Sequence, residues 1–277
     1  MKRILTSLHD TNTVGIEHNG GLVTRQGLYV GSGKGGSVYG QMPMPSPRHV
    51  VFFDDFNRAF DPTVATDPYV YTEGTDSATS AAAILAGGIG GVLRLTTGDA
   101  GSGLAADTCQ LTTRVLGWQA SNGGLTYEIR VKLSAITTCW AFFGFTDTVA
   151  ASLEAPVISA SSANTITTNA SDAVGWMFDT RMSTDNWWMV GVAADTDATA
   201  QNSGYAPVAD TYEVLRISIS AAGAATFYRN GVPVGKIMSG AVTAATDLTP
   251  IIAVSKTSVA ASMTCDVDYL MCAMDRA

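Results

Sequence analysis

In GGLTYEIRVKL, residues 123–133, Leu125, Tyr127, Ile129, Val131 and Leu133 alternate with Thr126, Glu128, Arg130 and Lys132. Successive side chains of an extended chain point to opposite faces, so this alternation predicts a strand with one buried and one wet face. The same pattern recurs further along, where Leu215, Ile217 and Ile219 alternate with Val214, Arg216 and Ser218. A turn at Ala222-Gly223 then leads into AATFYRN, and Asn230-Gly231 separates TFYR from VPVGKI. Asn-Gly accepts the positive φ angles of a two-residue hairpin, so three antiparallel strands are expected here.

Working outward from these segments, further strands are expected at Val50–Phe53, Tyr69–Tyr71, Val92–Thr96, Thr108–Arg114, Trp140–Phe145, Val174–Asp179, Trp187–Ala193, Ile251–Val254 and Met263–Met271. Short strands separated by Gly, Asp, Asn and Ser turns, without amphipathic helices between them, imply two antiparallel sheets packed face to face. SATSAAAILAGG, Ser77–Gly88, is the one place where a short helix is expected. No repeat with a period of 20–50 residues is present, which argues against a propeller or solenoid.

Composition agrees with this reading. Of 277 residues, 46% are hydrophobic and 14% charged, enough apolar material for a packed core without disulfides. Residues 1–50 carry five Lys/Arg against Asp10 and Glu17, a net +3; the total of −8 therefore leaves −11 on residues 51–277. An acidic body repels phosphate backbones, so nucleic acid is not an expected partner. No apolar run reaches the roughly 18–20 residues of a membrane span, nor is there the apolar run of a signal peptide; a product made in the cytoplasm is expected, with no membrane partner.

Residues 1–48 differ from the rest. They hold only short apolar alternations, among them Leu22, Val23, Leu28, Tyr29 and Val30, and end in the Gly- and Pro-rich run GSGKGGSVYGQMPMPSPR. This is read as an extended N-terminal docking arm with a linker, residues 1–48, preceding a sandwich domain, residues 49–277. Those five apolar residues are the expected contacts to a partner surface.

FFDDFNR, TYEIRVKL, AFFGFTDT, VGWMFDT, NWWMVGVA, EVLRISI, TFYRNGVPVG and CDVDYLM occur in this order. Together they resemble the concanavalin A-like lectin/laminin-G jelly roll, TFYRNGVPVG and the closing VDYL strand most of all. The resemblance implies an all-β antiparallel jelly-roll β-sandwich over roughly residues 50–277. More narrowly, the chain is similar to jelly-roll proteins among tailed-bacteriophage virion components, many of which carry an N-terminal docking segment. Its motifs are specific for the fold and weak for the function, because this sandwich hosts lectins, glycosidases and structural modules alike.

The body lacks the common catalytic patterns. His9, His18 and His49 all lie in the arm or at its junction, which leaves no histidine for a nucleophilic triad or a zinc site within the sandwich. A glycosidase needs two carboxylates flanking the scissile bond, and the ExDxE strand motif of the β-glucanase branch is missing; Asp266 and Asp268 share a terminal strand, where solvent-facing polarity explains them. GLYVGSGKGGS fails the phosphate-loop pattern, with Leu28 where glycine is required and Gly35 after Lys34. Cys109, Cys139, Cys265 and Cys272 form no CxxC pair and are expected to be buried free thiols; Cys265 and Cys272, seven residues apart on one strand, should lie on opposite faces.

Two binding possibilities remain. Asp195 and Asp197, with Asp172 and Asp185 in other loops, are candidate calcium ligands, although acidic loop residues commonly serve as turn formers. Trp176, Trp187 and Trp188 could stack on sugar rings, although tryptophans in strands commonly belong to the core. The expectation drawn from all this is a non-enzymatic virion structural protein, a capsid decoration or head-fibre protein anchored to the major capsid protein by its arm and self-associating as a homotrimer. The alternative is a lectin-like carbohydrate-binding module of a phage tail or spike.

Overall fold

A computed structural model describes residues 48–276 apart from 76–78, 89, 100–102, 150–154 and 259–261, with no side chains for 235–237, together with the backbone of four N-terminal strands. Those four, β1 (Ile4–Thr6), β2 (Val14–His18), β3 (Gly21–Thr24) and β4 (Gly27–Tyr29), pair in sequence as an antiparallel meander. The extended arm thus pairs with itself: Leu22 stands opposite Tyr29 and Val23 opposite Leu28. Val30 lies outside the described residues.

The body consists of two large sheets and a hairpin. The first sheet runs β20 (Val232–Met238), β19 (Ala225–Arg229), β18 (Glu213–Ile219), β10 (Leu125–Leu133), β22 (Thr264–Asp275), β8 (Leu93–Thr96) and β7 (Ala81–Ile84). β5 (His49–Asp54) also pairs with β22, on Leu270–Asp275, while β8 pairs with its first half. The second sheet runs β16 (Thr196–Asp197), β15 (Trp187–Ala193), β14 (Ala173–Asp179), β11 (Cys139–Thr146), β21 (Thr249–Lys256), β9 (Cys109–Thr113) and β6 (Tyr69–Glu73), with β17 (Gln201–Asn202) also on β15. Every pairing is antiparallel, as the alternating patterns require.

The stretch expected to be helical is a strand. Ala81–Ile84 pairs with Leu93–Thr96, and Ala82 and Ile84 pack on the core from the sheet edge; that tertiary contact outweighs the helix propensity of the alanines. The described helix is instead the single turn α1 (Leu104–Asp107).

Between the sheets, Leu125, Tyr127, Ile129, Leu215, Ile217 and Phe227 of the first meet Phe143, Phe145, Trp176, Trp187, Ile252 and Val254 of the second. Polar atoms in this layer find partners across it, as burial demands. The Tyr127 hydroxyl donates to the Ile251 carbonyl at 2.9 Å, and the Trp176 indole to the Arg216 carbonyl at 3.2 Å. At the start of the body, Arg58 of FFDDFNR bridges Asp54 and Asp67 and sits 5.6 Å from the Tyr69 ring, tying the β5 exit to the β6 entry.

A second apolar layer covers the far side of the second sheet. Trp140, Phe142, Met177, Trp188, Val190 and Ile251 face away from the main core and pack under the hairpin β12 (Ile158–Ser162) and β13 (Thr165–Thr168). The hairpin is fastened there by Asp179, whose carboxylate accepts from the Ala160 amide at 2.8 Å, and by the Trp140 indole, which donates to the Ile158 carbonyl at 2.9 Å. This face is therefore covered by the hairpin.

Candidate binding site

The strand expected to carry one wet face, β10, places Thr126, Glu128, Arg130 and Lys132 on the side of the first sheet away from the core. Cross-strand neighbours convert much of that side into an ordered polar surface. Glu128 lies opposite Arg216 on β18 and Met271 on β22 and is only 2% exposed. The Tyr269 hydroxyl donates to its Oε1 at 2.8 Å; burial pushes its carboxyl up from the ordinary range, and the Tyr269 bond opposes that rise.

At the other end of β10, Asp266 accepts a fork from Arg94, 2.6 Å from Nε and 2.9 Å from Nη2, and lies 3.0 Å from Lys132 Nζ. Burial disfavours its charge, but the bonds from Arg94 and Lys132 outweigh that and hold the carboxyl below the usual aspartate range. Asp268 pairs with Arg130 at 2.7 Å, and Arg130 in turn sits 4.2 Å from the Tyr212 ring. The two aspartates thus anchor basic side chains on the sheet.

Where β22 ends beside β5, the surface opens into a cavity of about 230 Å³. Met271 and Ala273 supply apolar lining, and Thr126, Arg216, His49 and Asp275 supply polar groups. His49 Nδ1 lies 2.8 Å from Asp275 Oδ1. This corrects the placement of His49 at the arm junction: it is the first residue of β5, opposite Asp275 in the ladder, and belongs to the sandwich. Gly124, at φ +60°, lets the turn before β10 close against the end of β22; a Cβ there would meet the Asp275 carboxylate at 3.1 Å.

The residues singled out in the sequence lie elsewhere. Trp176, Trp187 and Trp188 are at most 4% exposed, and their indole N–H groups are spent inside: on the Arg216 carbonyl, on Glu213 Oε2 at 2.7 Å and on the Thr184 carbonyl at 3.2 Å. None presents a face to a sugar, because alternation on a two-layered sheet turns Trp176 and Trp187 into the main core and Trp188 under the hairpin. Asp195 sits at φ +61° in the tight turn joining β15 to β16 and accepts from Ser171 Oγ at 2.6 Å; Asp197 accepts from Thr168 Oγ1 at 2.9 Å. Both act as loop fasteners, and among the described residues no group of three His, Cys, Asp or Glu side chains is placed to hold a metal ion. Asp172 likewise binds loops together, accepting from the Thr243 amide at 2.6 Å.

No protein-family model matches the chain, and no curated protein matches it. Solved structures do. The carbohydrate recognition domain of Emp47p is 9% identical with a TM-score of 0.55, over 84% of this chain and 100% of that one. An endo-1,3-beta-glucanase from Streptomyces sioyaensis is 14% identical with a TM-score of 0.54, over 85% and 100%. The beta-glucanase of Bacillus licheniformis is 12% identical with a TM-score of 0.52, over 80% and 97%.

The chain has the concanavalin A-like jelly-roll fold.

Within this jelly roll, the cavity residues were not legible in advance. Arg216 and Thr126 were visible as wet-face residues, but His49, Asp275 and Met271 join them only through the long-range pairing of β5, β22 and β10. The one available signal was the alternation that puts Thr126 and Arg216 on outward positions of neighbouring strands.

Proposed function

We propose that this jelly roll is a lectin-like carbohydrate-binding module that does not cleave its ligand, with its site in the cavity on the outer side of the β10–β22 sheet. The cavity at the end of β22 carries the reading: a small recess in which polar groups of Arg216, His49, Asp275 and Thr126 converge over a floor of buried Met271 and Ala273. The rim of hydroxyls on a pyranose matches those converging polar groups. At about 230 Å³, below the roughly 300–1,000 Å³ of drug-sized sites, the cavity suits one ring of a longer chain. The similar structures named above, a carbohydrate recognition domain and two glucanases, support sugar as the ligand class.

Binding is favoured over hydrolysis because the carboxylates of this face are committed to structure. Asp266 and Asp268 hold cations, Asp275 holds His49, and Glu128 is buried under Tyr269 and Met271. Glycan-array screening followed by calorimetry tests the reading, with an Ala273→Trp variant that fills the cavity as control. Saturable binding by the native chain, lost in the variant, is expected; binding unaffected by the variant would put the site elsewhere. Release of reducing ends from a bound glycan would make the protein an enzyme.

A second reading, attachment to a virion through residues 1–48 with a trimeric body, is favoured by the N-terminal meander. Its four strands are only three to five residues long, a small sheet that a partner surface would stabilise. Deleting residues 1–48 should leave a folded body that no longer joins a particle, whereas unchanged particle occupancy would remove this reading.

A further inference from the structure

We infer that the cavity at the end of β22 selects an acidic sugar, with the ring carboxylate seated on Arg216; this rests on the carbohydrate-binding reading above. Arg58, Arg94, Arg130, Arg181 and Arg229 each form an ion pair with an aspartate or glutamate, and Arg114 spends its guanidinium on the Asp67, Pro62 and Val64 carbonyls. Arg216 lines the cavity and forms no ion pair among the described residues.

Its hydrogen bonds are correspondingly few. Nη2 donates to Ser218 Oγ at 3.3 Å, a long bond, and Nε is buried without a partner. Glu128, its cross-strand neighbour, contributes favourable charge but spends Oε1 on the Tyr269 hydroxyl. A guanidinium offers five donors in a planar fork; Nε lies out of a ligand's reach, so the hydrogen-bonding capacity that an incoming oxyanion would satisfy is that of the two Nη groups.

The side chain is also held in position. The Arg216 guanidinium carbon lies 5.2 Å from the centre of the Tyr228 ring, a cation–π contact that limits its rotamers before any ligand arrives. The fork geometry favours a planar carboxylate over a tetrahedral sulfate, since two parallel N–H···O bonds match two coplanar oxygens. His49 and Asp275, the accessible groups on the cavity rim, would reach hydroxyls beside the carboxylate. The chain's overall negative charge would repel a polyanion at long range; the inference is therefore of short-range recognition of single acidic residues, with weak steering.

The test is calorimetric titration of the full chain with three probes: a short oligogalacturonide, a neutral β-1,3-glucan oligosaccharide and a sulfated oligosaccharide of similar length. Galacturonide binding well above the other two is expected. Arg216→Gln should weaken galacturonide binding about ten- to a hundredfold, the range for a hydrogen-bonded charge. Arg216→Lys, which keeps the charge and loses the fork, should fall between, and the unfolding temperatures of both variants confirm that they fold. Equal binding of galacturonide and neutral glucan, unchanged in Arg216→Gln, would overturn the acidic-sugar inference and leave the carbohydrate reading standing. A preference for the sulfated probe would overturn the choice of carboxylate, and failure of all three probes together with a blank glycan array would overturn both proposals.

Discussion

Cys265 and Cys272 both face the main core although seven residues of one strand separate them. Regular alternation would put them on opposite faces. The ladder explains the difference: Arg130 stands opposite Tyr269, but the next residue, Val131, stands opposite Val267, so Asp268 is an extra residue on β22. This β-bulge reverses the parity of the strand, and Cys265 and Val267 before it and Leu270 and Cys272 after it all point inward.

The side-chain directions on β22 should therefore depend on the pairing on either side of the bulge and not on Asp268 itself. Asp268→Ala removes a partly exposed pair with Arg130 and should cost about 1 kcal/mol or less in urea unfolding. Deleting Asp268 would remove the extra residue and leave Val267 and Tyr269 opposite Val131 and Arg130, each on the face it holds now. A cooperative unfolding transition close to the native one is expected from the deletion, and loss of that transition would refute the register.

Asp266 is 1% exposed and holds two cations. Asp266→Asn should lower stability by about 2–3 kcal/mol at pH 7, the cost of weakening a charged hydrogen-bond pair whose basic partners keep some solvent. Because its folded-state carboxyl lies below the ordinary 3.8, its contribution is complete above that pH and declines as pH falls further. The gap between native and variant chains, followed by denaturation from pH 7 to pH 2, should close at the acid end.

Glu128 carries the opposite sign. Its folded-state carboxyl lies above the ordinary 4.5, so its favourable contribution is complete below that value and fades as pH rises through the folded one. Glu128→Gln removes the burial cost of the charge while keeping an acceptor for Tyr269. The variant's unfolding temperature should therefore gain on the native chain's between pH 4 and pH 7; a constant difference would show that Glu128 titrates normally.

All four cysteines are buried and free. Burial pushes the thiols of Cys109 and Cys139 up to about 12 and raises those of Cys265 and Cys272 well above the ordinary value. The thiolate is the reactive form, so a colorimetric thiol reagent should titrate none of them at pH 8 in the native protein and all four in denaturant. A fast-reacting native thiol would contradict this burial.

By itself, the sequence determined that the body is an antiparallel sandwich. Alternation in residues 125–133 and 214–219, and the Asn230-Gly231 turn, are local signals, because side-chain direction along a strand depends only on position in the pleat. It also marked Thr126 and Arg216 as facing away from the core. What only the tertiary structure decided depends on residues distant in the chain. The bulge at Asp268 exists in the pairing of β22 with β10, and β7 became a strand because β8 and the core lay beside it. Both faces of the second sheet are apolar because the β12–β13 hairpin folds over one of them, which is why the tryptophans are interior. Among the described residues Arg216 forms no ion pair, because its cross-strand neighbour Glu128 turns to Tyr269 and β22 brings Met271 to the same row. A period-two pattern fixes which way a side chain points; what it meets there is set by long-range register.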